Sequence, residues 1–175
     1  MTAMPTHFDL ADRARRLLAP LLLLASLLVA AAPSFAQSGP LEDLAKFPQG
    51  KLEIGAKKPL VFEVWVADTP ARQQQGLMFV RSLPPLRGML FVHETPRPMT
   101  MWMKNTYIPL DMVVIDTKGR IQEIVENATP HSLDTLRSKL PARAVLEIGG
   151  GEARRLGLKA GQQVRHPAFD GAAHP

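Results

Sequence analysis

Residues 99–116, MTMWMKNTYIPLDMVVID, decide the fold class of this chain. Two runs of extended-chain type, 99–105 and 110–116, flank the turn signal Asn105-Thr106 and the break Ile108-Pro109. Read as an antiparallel hairpin, the register that pairs Lys104 with Asp111 sets Met103 against Met112, Trp102 against Val113 and Met101 against Val114. A slip of one residue would swap the faces and leave the Asp111 carboxylate among apolar side chains, so the first register is the expected one. Its consequence is a cross-strand ion pair between Lys104 and Asp111.

Upstream, residues 60–67, LVFEVWVA, are apolar on both alternating faces, which predicts an inner strand. Further strands are predicted at 51–54, 89–92, 121–125, 144–148 and a last one through Val164. Residues 94–98 and 127–141 each hold two prolines and read as loops, the second with at most a short helical turn. Asp68-Thr69-Pro70 is a helix start, with an oxygen-bearing cap and proline where its missing N–H costs nothing, and Gly76 is the stop. Gly149-Gly150-Gly151 opens a second short helix over 152–156, which Gly157 ends. The expected fold is a single-domain, mainly β sandwich, jelly-roll-like, with two short helices.

The N-terminus is read separately. Arg13, Arg15 and Arg16 precede an apolar run, 17–32, and Ser34-Phe35-Ala36 is a small-x-small cleavage site, so 1–36 is expected to be a signal peptide. The alternative is an uncleaved anchor. Residues 37–50 read as a flexible tether with at most one helical turn, 51–166 as the β domain, and 167–175 as a loose tail. A secreted or periplasmic location follows, with no membrane span after cleavage. Export leads to an oxidising compartment, yet the chain has no cysteine and must hold by its core alone. The 139 residues beyond the leader (175 minus 36) suffice, since a domain near 150 residues buries roughly 68–70% of its unfolded surface.

Removing the leader's three arginines and two aspartates from totals of 21 and 16 leaves 18 basic and 14 acidic residues, a net +4. The basic residues are scattered, and their adjacent pairs, Lys57-Lys58 and Arg154-Arg155, have no interleaved aromatics, which argues against nucleic acid as a partner.

Six pieces recur in a recognisable order: Ala67-Asp68-Thr69-Pro70, Gly76-Leu77-Met78-Phe79, Gly88-Met89-Leu90-Phe91, Trp102-Met103-Lys104-Asn105-Thr106, Ile108-Pro109-Leu110-Asp111 and Ala144-Val145-Leu146-Glu147. Together they resemble the family known as domain of unknown function 192, small and often exported bacterial proteins, over about residues 52–164. The resemblance implies a mainly β, sandwich or jelly-roll-like domain and brings no established activity. Gln73-Gln74-Gln75 departs from the charged run common there, and Gly149-Gly150 from a common Asn-Ala pair.

Three chemistries compete. Binding would use a polar-aromatic patch of Trp102, Lys104, Asn105, Thr106, Tyr107 and Asp111 on the hairpin, with Glu147 nearby; the plainer role of Asn105 and Thr106 is to bond the turn backbone. Soft-metal transport would use Met99, Met101 and Met103, whose thioethers suit Cu(I) or Ag(I), although methionine is also a common core filler. A hydrolase would need paired carboxylates from Asp111, Asp116 and Glu147, but Asp111 and Asp116 fall on opposite faces of one strand, and no nucleophile elbow or zinc-protease motif is present. The sequence favours an exported binding or accessory module without a cofactor, with a small molecule, a glycan or an envelope protein as its partner.

Overall fold

The computed structural model describes residues 41–170; the expected leader, 1–36, and the outer ends of the expected tether and tail lie outside them. The chain runs β1 (Gln49–Ile54), β2 (Leu60–Ala67), α1 (Pro70–Gln75), β3 (Arg87–Met101), β4 (Leu110–Ile115), β5 (Ile121–Ala128), β6 (Leu136–Gly149), α2 (Glu152–Arg155) and β7 (Val164–Arg165). The seven strands form one sheet in the order β5-β4-β6-β3-β2-β1-β7. It is mainly β with two short helices, as the sequence predicts. The two layers expected of a sandwich are here a single sheet that curls on itself. Its ends meet where Arg120 bridges Gln163 and the Ile121 N–H donates to the Gln162 carbonyl at 3.0 Å.

Each face of the curled sheet carries its own core. The first draws on all seven strands through Leu52, Phe62, Leu90, Val113, Ile121, Leu146 and Val164. The second lies on the other face of β3, β4 and β6, where Met89, Phe91, Met112, Val114 and Val145 are covered by Phe47, Leu77, Met99 and Met103. Burying each of these large side chains stabilises the fold by about 1.5–3 kcal/mol. Phe47 and the 3-10 turn Leu44–Lys46 show that the inner part of the expected tether packs on the domain. Likewise Phe169, in the expected tail, packs against the first cluster.

β2 lies between β1 and β3, as its two apolar faces predict. Its pairing with β3 is parallel, from Glu63 opposite Arg87 to Ala67 opposite Phe91. Parallel neighbours cannot be joined by a tight turn, and the crossover here carries α1. Thr69 caps that helix by accepting the Arg72 N–H at 3.3 Å, Pro70 occupies its first turn, and the Gly76 N–H closes it on the Arg72 carbonyl at 2.8 Å.

The expected hairpin does not form. β6 comes between β3 and β4, so Glu147 lies opposite Met89 on one side and Met112 on the other. The reason is the length of β6. It begins at Leu136, inside the stretch read as a loop, and supplies both flanking runs with a better partner than each other. The loop expected over 94–98 is also strand. Its prolines are tolerated because the β3–β6 register shifts between Val92 and Arg97 and again between Pro98 and Thr100.

Candidate functional site

The crossover lays α1 over the second face of the sheet, opposite the turn that follows β3. Between them runs a groove of about 470 Å³. Gln74, Gln75, Met78 and Phe79 form one wall, Trp102, Lys104 and Asn105 the other, and Leu41 and Glu42 contribute from the N-terminal segment. The walls are tied together by the Phe79 N–H, which donates to the Asn105 carbonyl at 2.8 Å. Both residues sit in left-handed backbone, with φ of 65° at Phe79 and 57° at Asn105. For a bulky residue such as Phe79 that conformation costs about 1–2 kcal/mol. It turns the ring outward, and Phe79 is 42% exposed.

Trp102 is 44% exposed, with the Lys104 ammonium 5.3 Å from its ring centroid. Tyr107 extends this aromatic rim without lining the groove. Its ring meets Phe79 edge-on at 5.7 Å and lies 5.3 Å from His131.

At the base of the groove is a pit of about 20 Å³, bounded by Gln73, Phe91, Thr106 and Glu147 and sharing Trp102, Lys104 and Met78 with the groove above. Such a volume holds about one water-sized group. Strand alternation places Glu147 here: Leu146 and Ile148 turn to the first core, and Glu147 turns with Val145 to the second face. The Glu147 residue is 3% exposed. Burial pushes its carboxyl up to about 8, with no neighbouring cation or hydrogen bond contributing. Glu147 is therefore a neutral acid at pH 7, a donor facing an opening. Two other polar groups of the pit are already bonded. Gln73 Nε2 donates to the Val92 carbonyl at 2.7 Å, and the buried Thr106 hydroxyl donates to the Lys104 carbonyl at 3.4 Å.

Asp111 does not belong to this site, and the expected Lys104 ion pair is absent. Asp111 lies opposite Ile148 in the register, one residue out of step with Glu147, and so faces the other side of the sheet. There it is fully buried and accepts three backbone N–H groups, from Asn127 at 2.8 Å, Gly151 at 2.9 Å and Ala153 at 2.8 Å. The carboxylate thus ties the end of β5 to the start of α2, on the face opposite Lys104 and Glu147. Asp116 likewise serves a turn, accepting from the Lys118 and Arg120 N–H groups. The three carboxylates weighed for hydrolysis are not brought together. Among the described residues no three His, Asp or Glu side chains gather as a metal site. Met99 and Met103 are buried in the second core and Met101 packs against it.

Of the residues singled out in the sequence, Trp102, Lys104 and Asn105 line the groove, while Thr106 and Glu147 line its pit. The opposing wall was missed. Three adjacent apolar residues, Leu77-Met78-Phe79, give no sign of it: Leu77, 2% exposed, enters the core, while left-handed backbone turns Phe79 out into the groove.

Solved structures share this architecture, two of them as follows. One, from Sinorhizobium meliloti 1021 and provisionally described as a transcription regulator, is 37% identical, with a TM-score of 0.67 over 70% of this chain and 96% of that one. The other, a protein of unknown function from Novosphingobium aromaticivorans DSM 12444, is 35% identical, with a TM-score of 0.68 over 73% of this chain and 91% of that one. Comparison with curated proteins gives no match. Residues 51–166 match the family DUF192, described as "Uncharacterized ACR", and the chain belongs to that family.

Proposed function

We propose that the chain is an exported binding module whose groove, between α1 and the Trp102–Thr106 turn, holds a small, largely uncharged ligand. One observation carries the reading: a buried carboxyl, Glu147, faces a pit that opens into a groove rimmed by exposed aromatic rings. Burying a polar group without a partner is costly, and a ligand that bonded it would recover that cost. A concave, mostly apolar site with a few placed polar groups is the usual form of a small-molecule site.

Hydrolysis of a glycoside calls for two carboxyl groups flanking one bond. Here Glu147 stands without a second free one, since Glu42, at the groove's end, is held by Arg72 at 3.1 Å. Export rests on the basic, apolar and small-residue pattern of residues 1–36; among the described residues no helix is long and apolar enough to cross a membrane.

The test is a thermal-shift panel of glycans, cell-wall fragments, Cu(I) and Ag(I), repeated on Trp102→Ala. A ligand at 100 times its dissociation constant adds about 2.7 kcal/mol. A shift that the variant abolishes supports the groove. A Cu(I) or Ag(I) shift that Met101→Leu with Met103→Leu abolishes would replace this reading with metal transport, and silence across the panel would sink it.

A further inference from the structure

The pit and the groove together narrow the class of ligand. The pit admits a group the size of one oxygen atom, and its one uncommitted carboxyl belongs to Glu147. The walls above carry the amides of Gln74, Gln75 and Asn105 and the rings of Trp102 and Phe79, surfaces suited to the hydroxyls and the flat apolar face of a sugar, with Lys104 and Glu42 as their charged groups. A peptide backbone would find no ladder to join. At the pit itself both strands are paired on each side, Phe91 of β3 lying opposite Ala67 and Val145, and Glu147 of β6 opposite Met89 and Met112, so no free strand edge lies there.

We propose that the pit is a subsite for the carbonyl oxygen of an acetamido group, and that the groove binds an uncharged N-acetylated glycan whose ring rests against Trp102. The inference rests on the binding-module reading above. Glu147, as the neutral acid, donates its proton in a hydrogen bond to that carbonyl. Once ionised it has no proton to give and repels the same oxygen. Burial sets the shift at Glu147, and the charged groups near it are few. Lys104 lines the pit from the turn and Glu42 the groove from the N-terminal segment, Arg72 on α1 is held by Glu42 and Asp68, and the cross-strand neighbours Met89 and Met112 are uncharged.

Chitotetraose and cellotetraose, which differ in acetamido against hydroxyl groups, are titrated into the full chain by calorimetry, and into its Trp65→Phe variant, where the remaining tryptophan fluorescence follows Trp102. The expected result is chitotetraose binding at least tenfold tighter than cellotetraose at pH 6.5, weakening tenfold or more by pH 9. Glu147→Leu loses that binding by tenfold or more. Glu147→Gln, which keeps a donor, restores it relative to Leu and removes the pH dependence. Equal affinity for the two glycans, binding untouched in Glu147→Leu, or a flat pH profile in the parent chain overturns the inference. If another panel compound binds at Trp102 while both glycans fail, the inference falls and the binding-module reading stands. If nothing perturbs Trp102, both fall.

Discussion

Replacing Glu147 by glutamine should make the protein more stable, by an amount that grows with pH. The native carboxyl holds its proton to about pH 8, whereas an ordinary glutamate releases it near 4.5. Below 4.5 both native and unfolded chains carry the proton, and the group is neutral in its effect. Between 4.5 and 8 the unfolded chain ionises while the native one does not, so stability falls by about 1.4 kcal/mol per pH unit. Above about 8 the loss levels off. At pH 7 the accumulated loss is about 3 kcal/mol, and at pH 5 it is under about 1 kcal/mol. The glutamine amide has nearly the same shape as the carboxyl and never ionises, so Glu147→Gln escapes the loss, with a melting temperature higher by about 10 °C at pH 7 for a domain of this size. Urea denaturation of both proteins, followed by far-ultraviolet circular dichroism at pH 5, 6, 7 and 8, measures the difference directly. Other titrating groups act equally on both chains and cancel. A difference that stays constant from pH 5 to 8, or a variant less stable throughout, would refute the reasoning and mean that the carboxylate has a partner inside the fold.

Asp111→Ala should cost about 3–5 kcal/mol, because it strips three buried N–H groups of their acceptor; the urea midpoint reads this, and a loss under about 1 kcal/mol would contradict the role assigned to it. Gly88→Ala should destabilise by about 1–3 kcal/mol or more, since the added Cβ would press into the Glu147 carbonyl oxygen, a backbone atom that cannot step aside; an unchanged midpoint would rule out that close approach. His93 is held down to about 4 by burial, then by Arg97 and Arg143, so below 6.5 the unfolded chain takes up a proton that the native one refuses, and stability drops as the pH falls toward 4. His93→Gln should flatten that acid limb in a series of melts from pH 7 to 4, and an acid limb as steep as the parent's would contradict the origin assigned to it.

Local chemistry made several elements legible from residues alone. The unbroken apolar alternation of 60–67 requires partners on both sides, and β2 has them. Thr69, Pro70 and Gly76 mark both ends of α1 because caps act within one turn of the chain. The same locality explains the failures. Lys104 and Asp111 looked like partners because they flank one turn, yet pairing is settled by competition among all strands, and β6 wins both sides. Nothing near Leu136 announces that strand. Its first six residues mix polar and apolar side chains, none of them buried, and they become strand only because β3 runs alongside.

The sequence by itself determined that this chain is mainly β, that its helices are short and where they begin and end; it offered Trp102, Lys104, Asn105, Thr106, Tyr107, Asp111 and Glu147 as one set of candidates. These follow from period, capping and turn chemistry, which are properties of neighbours along the chain. Only the tertiary structure decided that Asp111 faces away from Glu147, that Phe79 and the α1 glutamines form the facing wall, and that Glu147 is neutral. Each depends on what lies across the sheet or above it, and burial has no signature in a residue's own neighbours. A glutamate between Leu146 and Ile148 reads as an exposed position on a half-buried strand until the crossover helix is laid over it.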